Sequence, residues 1–145
     1  MNATMSTNMR DAMRRLLALC LLAVPLAAPA QESIPAAEVA LSHDAPVQLL
    51  GKLKGTQRDA QDYIVHLEAG DTLDVALKAS AASSTAFNVL SPGSETALYV
   101  GMIEGEMHWM HEVEQAGNYT VRVYLIRAAA RQGTSSRYTL TLIRR

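Results

Sequence analysis

The chain has 145 residues, of which 49% are hydrophobic and only 5% aromatic, with one cysteine and a formal net charge of −1. That length suits one domain around one core, and the single cysteine, at position 20, rules out an internal disulfide. The slightly acidic balance argues against nucleic acid as a partner, because duplex binding relies on neutralising several phosphates.

Residues 1–30 have the layout of a secretory signal. Arg10, Arg14 and Arg15 form a basic start, Leu16 to Leu26 an apolar core, and Ala28-Pro29-Ala30 an A-x-A cleavage motif. This predicts cleavage after Ala30, a chain that begins at Gln31, and a periplasmic or secreted location. The apolar core is shorter than the ~20 residues of a membrane span and has no basic stop-transfer flank, so no membrane anchor is expected. Cys20 follows Leu19, where a lipidation motif wants a small residue, which argues against a lipoprotein. Removing the segment takes away three arginines, one aspartate and the cysteine, which leaves 115 residues of net charge −3 without thiol chemistry.

Residues 31–46, with Pro35 and Pro46, read as a flexible segment, and residues 47–145 as a single β-sandwich domain. Strand-like alternation is clear in Tyr63, Val65 and Leu67 against Asp62, His66 and Glu68. It returns in Leu73, Val75 and Leu77, with Ala69-Gly70-Asp71 between the two runs, a pattern that predicts a hairpin. Ala116-Gly117-Asn118 introduces a third clear strand with Tyr119, Val121, Val123 and Leu125 on one face, and Tyr138, Leu140 and Leu142 share a face of the last. Weaker strand patterns lie at 47–53, 86–90, 98–100 and 108–113, with a tight turn at Ser91-Pro92-Gly93. About eight short strands and no long amphipathic helix predict an all-β fold, an antiparallel β-sandwich of jelly-roll type.

The third clear strand runs into Arg127-Ala128-Ala129-Ala130-Arg131-Gln132-Gly133. Alanine favours helix and glycine stops it, so one short helical turn is expected, with Arg127 and Arg131 on the same side. Like charges four apart repel by roughly 0.2 to 0.5 kcal/mol, so an acidic group should face them. The candidates are a partner molecule or the segment from Glu95 to Glu114, which has five acidic residues and no Lys or Arg, as 122–145 has six arginines and no acid.

Other chemistry is sparse. His108-Trp109-Met110-His111 offers ligand types that suit copper, but on a strand residues three apart face opposite ways and cannot share an ion. No metal and no cofactor are expected. Trp109 could be a sugar platform or a partner anchor, yet a lone tryptophan in a small domain is more often partly buried. Ser42, His43 and Asp44 are hydrolase residue types without evidence of triad geometry. With no G-x-S-x-G, H-E-x-x-H or phosphate loop in the chain, no enzyme activity is expected.

Gly51-Lys52-Leu53-Lys54-Gly55, the Tyr63 strand, Ala69-Gly70-Asp71, Ser91-Pro92-Gly93, and Gly117-Asn118-Tyr119 with Arg122-Val123, Arg127, Ala130-Arg131 and Tyr138 form an ordered series. Over about residues 47–143 this series resembles the periplasmic inhibitors of goose-type (g-type) lysozyme. It also resembles the β-sandwich domains that follow secreted bacterial peptidases, whose A-G turn and late G-x-Y-x-V-R-V strand are fold signals more than guides to activity. The resemblance implies an exported protein that blocks cell-wall hydrolysis by putting an arginine-bearing loop into the lysozyme's substrate cleft. Arg127 and Arg131 would then be contact residues, with Thr56 and Arg58 on a second contact loop and Arg122 and Tyr124 supporting the first. Where the inhibitors carry an aromatic residue after the G-x-x-K-G stretch, this chain has Thr56-Gln57-Arg58-Asp59. The alternative reading is a secreted β-sandwich module that binds protein or cell-wall glycan without inhibiting an enzyme.

Overall fold

The computed structural model describes residues 33–105 and 107–145; the signal-like segment, its cleavage motif and Cys20 lie outside them. Nine strands follow in order: β1 (Ala36–Val39), β2 (Val47–Lys54), β3 (Ala60–Leu67), β4 (Thr72–Ala79), β5 (Thr85–Leu90), β6 (Ala97–Val100), β7 (His108–Glu112), β8 (Gly117–Leu125) and β9 (Ser135–Arg144). Two short helices, α1 (Gly101–Glu104) and α2 (Arg127–Arg131), and a 3-10 turn at Ala82–Ser84 complete the described elements. The strands form a five-stranded sheet in the order β1-β3-β8-β5-β6 and a four-stranded sheet in the order β2-β9-β4-β7. This is the all-β sandwich that the alternating runs predicted, with the short helical turn at Arg127–Arg131 in place.

All pairings are antiparallel except that of β1 with β3. β1 falls inside the stretch expected to be flexible. Its sequence, Ala36-Ala37-Glu38-Val39, is mostly exposed and has no alternation to reveal it. Backbone pairing holds it instead, extended by the Asp62 N–H, which donates to Pro35 O at 2.9 Å.

The hairpin expected at Ala69-Gly70-Asp71 is not formed. β3 belongs to the five-stranded sheet and β4 to the four-stranded one, so the turn carries the chain across the sandwich. Alternation shows which side chains face inward but not which sheet they face inward from. Val65 and Leu67 therefore oppose Leu73 and Val75 within one core instead of lining one surface, and all four are fully buried. β5 and β6, joined through Ser91-Pro92-Gly93, are consecutive strands that do pair directly.

The core lies between the two inner faces. Phe87, Val89, Val121 and Val123 come from one sheet and Leu53, Leu140 and Leu142 from the other, all completely buried. Each contributes about 1.5 to 3 kcal/mol through removal from water. Two polar contacts cross the layers: the Tyr63 and Tyr138 hydroxyls lie 2.8 Å apart, as do those of Thr85 and Ser136. Burial and its Tyr63 neighbour push the Tyr138 phenol well above its ordinary pKa, so it stays protonated. Tyr138 lies so close over Gly51 that any Cβ there would strike its ring. At the open edge, Trp109 is half-buried against the core, its ring 6.0 Å from Tyr99 and 5.6 Å from His111.

Candidate functional site

The connections at 55–59, 80–84 and 126–134 all cross between the sheets at one end of the sandwich. The last contains α2. Two backbone bonds fix its approach, from the Leu125 N–H to Asp59 O at 2.8 Å and from the Ile126 N–H to Ser84 O at 2.9 Å. It ends in a Schellman closure: Gly133 takes φ +70, its N–H donates to Ala130 O, and the Thr134 N–H donates to Ala129 O, both at 3.0 Å. Ala129 and Ala130 face inward, 4% and 7% exposed, so Arg127 and Arg131 are turned to solvent.

The 55–59 connection is built against this turn. Gly55 sits on the Ala130 backbone, where a Cβ would come within 2.1 Å of Ala130 O, and its own N–H donates to Thr134 O at 2.9 Å. Only glycine permits that approach. Beyond it the loop closes on itself, with the Arg58 N–H donating to Lys54 O at 2.7 Å and the Lys54 N–H to Arg58 O at 2.8 Å. Thr56 sits at the tip with φ +68, a conformation that costs a β-branched residue roughly 1 to 2 kcal/mol. The Arg58 guanidinium donates to Gln61 Oε1 at 3.0 Å, and Gln61 in turn donates to Pro35 O at 2.8 Å beside β1. Four of the residues singled out in the sequence, Thr56, Arg58, Arg127 and Arg131, are thus gathered on two abutting loops.

Arg122 and Tyr124 are not part of that junction. They project from the outer face of the five-stranded sheet, where Arg122 grips Asp62 with a two-pronged fork of 2.7 and 2.9 Å. The Asp62 carboxylate is the first cause of the raised Arg122 pKa. Tyr124 is hydrogen-bonded to the Met102 backbone at α1, and burial raises its pKa.

The acidic segment does not neutralise the arginines. Among the described residues Arg127 and Arg131 make no ion pair, and the arginines that do are matched to aspartates outside 95–114. Arg144 Nε lies 2.6 Å from Asp71 Oδ2, a charge contact whose N–H is not aimed along a hydrogen bond. Arg145 Nη2 donates to Asp74 Oδ2 at 3.0 Å, and His108 Nε2 is 2.8 Å from Asp74 Oδ1. Glu106, a possible partner, lies outside the described residues.

His108 and His111 separate as strand alternation requires. One contacts Asp74 on the outer face, while the other, still exposed, stacks on Trp109 on the opposite face. His43 is 3.8 Å from Asp71 and its backbone bridges β9 at Arg144, which places it in an ionic cluster. Sequence reasoning also passed over Lys52, Lys54, Lys78 and Arg137, which are exposed on the outer face of the four-stranded sheet beside the loops. Their signal was present as polar positions alternating with core residues, but the adjacency of three strands was needed to gather them.

No family model matches the chain, and no curated protein matches it in sequence. Solved structures are more informative. The fold is similar to that of Aeromonas hydrophila PliG, a periplasmic lysozyme inhibitor of g-type lysozyme, with 25% identity over 77% of this chain and 98% of that one at a TM-score of 0.64. A mutant of the Escherichia coli protein of the same kind matches at 18% identity over 77% and 99%, with a TM-score of 0.57. The pre-peptidase C-terminal domain of a Bacillus anthracis collagenase matches at 12% identity over 78% and 97%, with a TM-score of 0.52. Both resemblances read from the motifs are therefore present in three dimensions, the second as a likeness of fold alone.

Proposed function

We propose that this protein is an exported inhibitor of a g-type lysozyme and acts by occupying the enzyme's substrate cleft, without catalysing a reaction itself. The observation that carries the reading is the junction of the two loops, which presents Arg127 and Arg131 exposed and without ion pairs among the described residues. The fold's likeness to a lysozyme inhibitor at 25% identity supports it.

The physical logic follows from the cleft's chemistry. A glycosidase site carries carboxyl groups spaced to flank a sugar linkage. A guanidinium offers a planar fork that bonds a carboxylate in two places, and it stays charged in any physiological medium. Two arginines one helical turn apart, held about 5 to 6 Å from each other at Cβ, could engage two such acids. Their mutual repulsion would be relieved by the enzyme's negative charge. Arg58 would lie at the margin of the contact and Thr56 at the tip of the second loop, replacing by shape what an aromatic side chain would supply. Arg122 and Tyr124 would stiffen β8 from its outer face. A periplasmic or secreted location and cleavage after Ala30 accord with such a role.

The test is digestion of cell walls by a g-type lysozyme with the purified protein added. Dose-dependent inhibition that weakens with salt is expected. The Arg127→Ala, Arg131→Ala variant should inhibit at least about thirtyfold less well, as befits removal of charged groups from a desolvated interface. No inhibition by the parent at a large molar excess overturns the proposal.

A further inference from the structure

The outer face of the four-stranded sheet gathers four of its cations at one end and its acids, Asp74 and Glu112, at the other. At the end near the loops, Lys52 of β2 lies opposite Arg137 of β9, Lys54 opposite Ser135, and Lys78 of β4 opposite Thr139. All four cationic side chains are exposed, and among the described residues none makes an ion pair. Asp74, an acid on the same face at its far end, is already engaged by Arg145 and His108. Cross-strand neighbours stand about 5 Å apart and diagonal ones about 7 to 8 Å, so the cations form a compact lattice.

Hydroxyls are interleaved with these charges. Ser80 Oγ accepts the Arg137 N–H at 3.0 Å, and the Ser80 N–H donates to Arg137 O at 2.8 Å, which pins Ser80 between the cations. A shallow depression of about 450 Å³ is lined by Leu50, Lys78, Ser80, Arg137 and Thr139 together with Gly51, Ala79 and Tyr138. A second of about 230 Å³ is lined by Lys52, Ser80, Ser135 and Arg137. Both are open to solvent along the sheet, a shape that suits an extended chain better than an enclosed small ion.

We propose that this face binds an anionic polysaccharide whose repeating carboxylates lie along the Lys52, Arg137 and Lys78 lattice while its hydroxyls meet Ser80, Ser135 and Thr139. Charge complementarity selects a polyanion from the start. Nucleic acid fits poorly because, among the described residues, the face has no exposed aromatic ring on which bases could stack. A lipid surface fits poorly because, among the described residues, Leu50, 82% exposed, is the one large exposed apolar side chain bordering the cations, too little to anchor in a headgroup layer. The inference does not depend on the inhibitor reading, since it uses other residues and another readout.

The test is retention of the purified protein on immobilised polygalacturonate at low salt. Binding is expected, with elution as salt rises. The Lys52→Ser, Lys78→Ser, Arg137→Ser variant should bind at least about tenfold more weakly, because multivalent charge contacts act together. The Arg127→Ala, Arg131→Ala variant should bind as the parent does. Far-UV circular dichroism and the unfolding midpoint establish that each variant is folded, and single substitutions at the same three positions serve if the triple variant is not. Failure of the parent to be retained overturns the proposal, as does undiminished retention of the folded variants lacking these cations. Equal retention on neutral dextran, or stronger binding to phosphatidylglycerol vesicles than to polygalacturonate, overturns it as well.

Discussion

The two ends of the sandwich use arginine in opposite ways. At one end Arg144 and Arg145 are matched to Asp71 and Asp74, with His43 and His108 drawn into the same cluster. At the other end Arg127 and Arg131 stand on a helical turn with no such match among the described residues. The first arrangement resolves charge inside the fold and contributes to stability. The second leaves charge unresolved, which a fold gains nothing from and a binding surface can use.

Replacing Arg144 with Ala tests this contrast most strongly. Asp71 has 8% of its side chain exposed and Arg144 20%, so the variant leaves a carboxylate with little water and should lose about 3 kcal/mol in chemical denaturation. A loss as small as that of a surface substitution would erase the distinction between the ends. The pair should also shape the acid limb of stability. Burial alone would raise the Asp71 pKa, but the Glu68 N–H and the Arg144 guanidinium outweigh it and hold the carboxyl below its ordinary 3.8. A folded value below the unfolded one means that the unfolded chain takes up protons first. The contribution is therefore complete above pH 3.8 and disappears as pH falls through that value toward the lower folded one. Asp71→Asn should flatten this limb in a series of denaturation curves.

At the loop end, backbone substitutions should matter more than charge. Gly55→Ala forces a methyl group onto the Ala130 carbonyl and should cost about 2 kcal/mol, with the loops pried apart and, on the proposed function, inhibition reduced. Gly133→Ala, which meets no neighbouring atom but keeps φ +70, should cost about 1 kcal/mol through strain alone. The smallest effect is expected from Arg131→Ala. Removing one of two like charges should change thermal stability by less than about 0.5 kcal/mol, in the stabilising direction. A substantial destabilisation there would make the arginine pair structural.

Much of this fold can be read from strand alternation. Four strands stand where apolar residues clearly recur at every second position and four more where the pattern is weaker, and Gly133 closes the helical turn as its place after Arg131 suggests. β1 escapes such reading because Ala36 and Ala37 bury nothing that would impose a pattern. The crossing at Gly70 escapes it because alternation is blind to which sheet a strand joins. The ion pairs were least legible, since Asp62 with Arg122 and Asp71 with Arg144 join residues more than half the domain apart in sequence. The arginine turn was visible as a motif. Its abutment on the Thr56 loop was not, because a glycine's absent side chain marks a close approach without naming what approaches.

That abutment also bears on the thermodynamics of association. Two loops from distant parts of the chain share a seam at Gly55 and Ala130, so neither has to surrender its own freedom when a partner arrives. Immobilising a flexible side chain at an interface typically costs about 0.5 to 1.5 kcal/mol, and ordering loop backbone adds to this. Folding has met most of the backbone share in advance. If the loops act as proposed, the pair would enter a cleft as a single rigid insert, and a graft that carries one loop to another scaffold without the other should recover little of the affinity.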